Sequence, residues 1–157
     1  MTKPIIMCVE DQPEVLSALI KDIDIFSEVF HIVECDSGQD ALDELEELDA
    51  DGAPIALIIS DCVMPGMSGV ELLKTVVDDG RFATTRKLLL TGQASHQDTI
   101  DAINQAHIDS YIAKPWNRDQ VIEKIKELVT HFIFDNGMDH TDFVGFTHSD
   151  VLFERLK

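Results

Sequence analysis

The sequence predicts an α/β domain: a doubly wound, five-stranded parallel sheet in the order 2-1-3-4-5, with helices on both faces. Three observations carry this. Short apolar runs alternate five times with stretches of helical periodicity. The run Ile55-Ala-Leu-Ile-Ile59 shows no polar alternation, as in a strand buried on both faces. Carboxylates stand where the first and third runs end, at Glu10, Asp11 and Asp61.

Ile5 to Val9 reads as a buried strand, and Pro13 suits the first turn of a helix whose apolar face is Val15, Leu16, Leu19, Ile20 and Ile23. Val29 to Cys35 reads as a second strand, and His31 and Glu34 suit an edge position. Ser37 with Asp40 resembles a capping box ahead of Ala41, Leu42, Leu45 and Leu48. After the third strand, Pro65-Gly66 makes a turn, and Ser68 with Glu71 caps a helix carrying Val70, Leu73, Val76 and Val77 as far as Asp79-Gly80. Lys87 to Thr91 is the fourth strand, followed by a helix capped by Ser95 and Asp98 and carrying Ile100, Ile103 and Ala106. Asp109 to Ala113 is a short fifth strand. Lys114-Pro115-Trp116 breaks the chain, and Asn117 with Gln120 starts a long helix with Val121, Ile122, Ile125, Leu128, Val129 and Phe132.

Regular alternation implies parallel strands joined by right-handed crossovers. In this strand order the connections of the first and third strands leave in opposite directions at their carboxyl ends and open a crevice. Glu10, Asp11 and Asp61 border it. Each has a structural alternative: Asp61 as a turn residue, Glu10 and Asp11 as helix N-terminal charges.

The 157 residues suit one domain with an appendage, and 45% apolar residues suffice for its core. A formal charge of -18 argues against direct nucleic-acid binding and against docking on an anionic membrane. Cys8, Cys35 and Cys62 lie in or beside apolar runs without zinc-knuckle spacing, and read as reduced, mostly buried thiols. The N-terminus fits neither a signal peptide nor a membrane span, which gives a cytoplasmic expectation.

Two carboxylates about 4 Å apart repel by roughly 4 kcal/mol at an effective dielectric of about 20. A hard divalent cation answers that repulsion, and Mg2+ suits a site with few carboxylates because it keeps waters and takes phosphate oxygens, with Mn2+ as a substitute. Lys114 adds a fixed cation and Thr91 a hydroxyl on the same rim. The set matches what a phosphoryl group on Asp61 requires, since carboxylates act as nucleophiles in phosphoryl transfer.

Glu10-Asp11, the segment Asp61-Cys-Val-Met-Pro-Gly-Met-Ser-Gly69, Leu88-Leu-Leu-Thr91-Gly92 and Tyr111-Ile-Ala-Lys114-Pro115 occur in order, each at the end of its expected strand. Over residues 3 to 134 the chain resembles the receiver domains of two-component response regulators, which are flavodoxin-like in fold. The resemblance implies that Asp61 accepts a phosphoryl group from a phosphohistidine on a sensor histidine kinase or a histidine phosphotransfer protein. It implies that Asp11, Asp61 and the backbone carbonyl of Val63 hold Mg2+, with Glu10 acting through water. Lys114 pairs with phosphoryl oxygens, Thr91 and Tyr111 switch together, and a cis Lys114-Pro115 peptide aims the amine. Val63 and Gln93 border the site and bear on the lifetime of the acyl phosphate. The protein is then a signalling switch rather than an enzyme on another substrate, catalysing only its own phosphorylation and dephosphorylation. It signals to a downstream protein target or forms a homodimer through its fourth and fifth helices.

Residues 1–134 are expected to form the receiver and 135–157 an acidic tail holding Phe143, Phe146 and Phe153, with a short helix from about Ser149. The tail is too short for an output domain. It folds back on the receiver, serves a partner, or links to the rest of a longer multidomain signalling protein; its aromatic content favours docking. His131, Asp135 and His140 are not read as a metal site. Two other functions share the fold. A flavodoxin-like electron carrier needs a phosphate-cradling first loop, which Glu10-Asp11-Gln12 contradicts. A metal-dependent phosphatase needs a second positioned acid or base, which Asp61-Cys-Val does not supply.

Overall fold

The computed structural model describes residues 2–92 and 96–157, with backbone alone at positions 96, 98, 99 and 102. Five parallel strands form one sheet: β1 (Ile5–Val9), β2 (His31–Cys35), β3 (Ile55–Asp61), β4 (Arg86–Thr91) and β5 (Ser110–Ala113), in the order β2-β1-β3-β4-β5. The helices are α1 (Pro13–Ile23), α2 (Gly38–Ala50), α3 (Gly69–Asp78), α4 (His96–Ala106), α5 (Arg118–Asp135) and α6 (Ser149–Leu156). Fold class and strand order are those the alternation predicts.

Every residue of β1 and β3 is buried, which explains their unbroken apolar runs. At the β2 edge, His31 and Glu34 are exposed. One core layer packs Ile6, Cys8, Leu57, Ile59, Leu88 and Leu90 under α1 and α5; the other packs Met7, Val9, Ile58 and Leu89 under α2, α3 and the end of α4. Cys8, Cys35 and Cys62 are all buried.

Three predicted caps form: Ser37 Oγ accepts from Asp40 N at 3.0 Å, Ser68 Oγ from Glu71 N at 3.1 Å, and Asn117 Oδ1 from Gln120 N at 3.1 Å. Each satisfies one otherwise orphaned helix N–H and contributes about 1 kcal/mol. Pro13 opens α1. The Ser95 cap lies outside the described residues.

Three strand starts differ from expectation, the fourth by a single residue, at Arg86 rather than Lys87. The second strand begins at His31 rather than Val29, because a 3-10 turn over Asp24–Glu28 draws the N–H groups of Val29 and Phe30 onto the Phe26 carbonyl. The fifth begins at Ser110, although Asp109 N still donates to Lys87 O at 2.9 Å while the Asp109 carboxylate accepts from Lys87 N at 2.7 Å.

The tail docks. A 3-10 turn over His140–Phe143 buries Phe143, whose ring lies 5.5 Å from that of Phe30; Phe146 lies 5.9 Å from Phe26. α6 then lies on α5. His148 N donates to Thr130 Oγ1 at 2.9 Å, and Arg155 reaches both His131 Nδ1 and Asp135 Oδ1 at 2.9 Å. These contacts account for His131 and Asp135, while His140 stacks on Phe134 at 5.5 Å. The three residues therefore serve packing and ion pairing.

Candidate functional site

The carboxyl ends of four strands meet at one rim. β1 leads into Glu10 and Asp11, β3 ends on Asp61, β4 on Thr91, and β5 leads into Lys114. Backbone bonds fix the ends to one another: Glu10 N to Cys35 O at 3.0 Å, Cys62 N to Leu90 O at 2.9 Å, and Lys114 N to Thr91 O at 2.7 Å. The side chains borne by these strand ends converge on one rim. The Lys114-Pro115 peptide is cis, as expected.

Behind Asp61 the chain allows only glycine at position 69. A Cβ there would sit 1.9 Å from the Asp61 carbonyl oxygen, and Gly69 N donates to Cys62 O at 2.9 Å. The Pro65-Gly66 turn uses a positive φ of 77° at Gly66, which brings α3 back against the strand end.

Carboxylate oxygens of Glu10, Asp11 and Asp61 lie within 4.8 Å of one another, the one such group found among the described residues. Lys114 Nζ is 2.6 Å from Asp61 Oδ1 and 3.3 Å from Glu10 Oε1. Glu10 is 1% exposed, and its Oε2 is buried with no hydrogen-bond partner. Desolvation, and then the charge of Asp61, push the Glu10 carboxyl up to about 7 against the pull of Lys114. For Lys114, burial works to lower the pKa, but the hydrogen bond and charge of Asp61 together with Glu10 outweigh it, and the net shift is upward. One ammonium faces three carboxyl groups, so the site is short of positive charge. Its donor set is oxygen only, which fits a small hard cation better than zinc or copper.

Of the residues singled out in the sequence, Glu10, Asp11, Asp61 and Lys114 come together. Thr91 is buried at the adjoining strand end. Pro115 lines an apolar groove beside the site with Val15, Ala18 and Trp116, and Trp116 Nε1 donates to Asp22 Oδ2 at 2.8 Å. The Val63 side chain is 72% exposed, and Tyr111 on β5 is 47% exposed. Gln93 lies outside the described residues. The Trp116–Asp22 bond had no signal in the sequence, because the partners are 94 positions apart and neither belongs to a motif.

The response regulator receiver domain model matches residues 6–126. The chain belongs to this family. The receiver is 29% identical over 150 residues to the hydrogenase transcriptional regulatory protein HoxA of Cupriavidus necator, covering 96% of this chain and 29% of that protein. It is 29% identical over 128 residues to hybrid signal transduction histidine kinase D of Dictyostelium discoideum, covering 82% of this chain and 8% of that one. The receiver thus spans less than a third of either relative. Among solved structures, it resembles the signal receiver domain of an HD domain-containing protein from Pseudomonas fluorescens Pf-5 at 25% identity and TM-score 0.71, covering 83% of this chain and 97% of that one. No helix among the described residues is long and apolar enough to cross a membrane.

Proposed function

We propose that this receiver is a phosphorylation switch in which Asp61 accepts the phosphoryl group of a phosphohistidine on a sensor histidine kinase or a histidine phosphotransfer protein. The observation that carries the reading is the short Lys114–Asp61 contact beside a buried, unpartnered Glu10 oxygen. It supports a nucleophilic carboxylate held by one cation, with acidic oxygens left to take a second.

An Asp61 oxygen forms the bond to phosphorus as the phosphorus–nitrogen bond of the donor breaks, and the imidazole leaves with the electron pair and takes up a proton. Asp11, Asp61 and the Val63 carbonyl would hold Mg2+, with Glu10 acting through water, and the ion would supply charge neutralisation at the phosphoryl oxygens. Lys114 shifts its hydrogen bond from the carboxylate to a phosphoryl oxygen. Thr91 then bonds the same group, and Tyr111, half exposed on β5, follows it. This is a population shift between two states, and the chain acts on no other substrate.

The output is a protein contact, not nucleic-acid binding, in keeping with the charge of -18. Ile100, Ile103 and Tyr111 are exposed on α4 and β5, and support a partner or homodimer surface there and on the part of α5 left free by the tail. The receiver unit is residues 1–134 with 135–157 docked upon it, working in the cytoplasm, alone or as a module of a longer signalling protein.

Intact mass before and after acetyl phosphate with Mg2+ tests the reaction. One added phosphoryl group, lost in Asp61→Ala and on chelation, is the expected result. Labelling that persists in Asp61→Ala overturns it.

A further inference from the structure

Lys87 occupies a strand position that the surrounding pattern reserves for an apolar side chain. It pairs with Ile58 of β3 in the ladder, precedes Leu88, Leu89 and Leu90, and is 6% exposed. It lies at the start of β4, at the end of the sheet opposite Asp61. Strand alternation puts it on the face of Leu89, in the layer under α3 and α4.

Its amine donates to the Thr85 carbonyl at 3.0 Å and, among the described residues, to nothing else. An ammonium carries three N–H donors, so a buried one with a single acceptor is under-satisfied. Nor does a carboxylate neutralise it. Asp109 is engaged by Arg86 and by Lys87 N, and Asp135 by Arg86 and Arg155. Burial accordingly pushes the Lys87 amine below the usual lysine range, with Asp109 opposing and Arg86 adding to the shift.

The same lysine lines a cavity of about 430 Å³, which has Val77 and Phe82 as apolar walls and Thr84, His107 and the Arg86–Asp109 pair among its polar ones. That volume falls within the range of small-ligand sites. We propose that this cavity binds a small monoanion with an apolar body, of the short-chain carboxylate class, whose carboxylate accepts from Lys87 and whose chain lies against Val77 and Phe82. A single negative charge fits because Asp109 and Asp135 repel a second. The site is separate from the Asp61 rim and does not rest on the phosphorylation reading.

The test titrates hexanoate, acetate and inorganic phosphate into the full chain, followed by amide chemical shifts. Hexanoate saturates at a Kd of about 1 mM or below, with shifts centred on Val77, Thr85 and His107. Acetate, lacking most of the apolar contact, binds at least about tenfold more weakly. Lys87→Met removes the charged donor and raises the hexanoate Kd at least about tenfold. Val77→Trp fills the cavity with Lys87 intact and blocks binding. In both variants the amide shifts of residues away from the cavity stay those of the parent, which shows that the fold is kept. The proposal is overturned if hexanoate does not saturate below about 10 mM, if Lys87→Met binds it as tightly, or if phosphate binds as well as hexanoate.

Discussion

Phe143→Ala tests whether residues 136–157 are part of the folded receiver. Phe143 is 5% exposed and packs 5.5 Å from Phe30, in the cluster that also holds Phe26, Leu128 and Phe132. Truncating a buried phenylalanine to alanine costs about 3–5 kcal/mol, from lost transfer energy and the cavity left behind. Phe143 sits at the rim of the core, in a short 3-10 turn that can relax into the gap, so the lower end applies, about 3 kcal/mol. For a chain of this size that corresponds to roughly 6–12 °C in Tm. The assay is urea unfolding followed by the single tryptophan, Trp116, which packs against the same cluster. Phe153, at 67% exposed on α6, is the control, and its alanine variant stays within about 0.5 kcal/mol of the parent. If Phe143→Ala costs less than about 1 kcal/mol and the tail is cleaved by protease no faster, the tail is not holding the core and the reasoning fails.

Four further outcomes are expected. The Glu10 carboxyl titrates near 7 in the folded chain against an ordinary 4.5, so without metal the folded state holds the extra proton and stability falls as pH rises through that window. Glu10→Gln flattens the dependence of the urea midpoint on pH; parallel profiles for variant and parent would assign the slope to other groups. Mg2+ raises the urea midpoint with concentration, and Asp11→Ala removes the effect, as mass action requires of a ligand bound only by the folded state. Gly69→Ala, with its Cβ driven toward the Asp61 carbonyl, lowers stability by more than about 2 kcal/mol and slows Asp61 labelling; a neutral result would mean that α3 shifts freely. Ser37→Ala costs about 1 kcal/mol through the lost cap, measured by the same unfolding curves.

The sheet was legible because parallel strands buried on both faces leave apolar runs that stop abruptly at a polar residue, as β3 does at Asp61. The convergence of Asp61 and Lys114 followed from the strand order, not from proximity in the chain. The sequence did not separate Glu10 from Asp11: adjacent acids look alike, yet one is buried with an orphaned oxygen and the other is half-exposed. The 3-10 turn that delays β2 was hidden because Phe26, Val29 and Phe30 are compatible with either conformation. Tail docking was only a leaning, since Phe143 and Phe146 show no helical or strand period and their partners Phe30 and Phe26 lie more than a hundred positions away. Lys87 looked like the polar first residue of a strand. One more residue of β4, Arg86, lies ahead of it, and that places its side chain inside.

The contact between Lys114 and Glu10 spans 104 positions of chain. Closing a loop of that length costs entropy before any native contact repays it, and chains rich in such distant pairings fold slowly. Chemical competence here is consequently a late arrival. During synthesis the first three strands emerge well before the amine that completes the rim, so a nascent or half-folded chain carries the acids without their counter-charge.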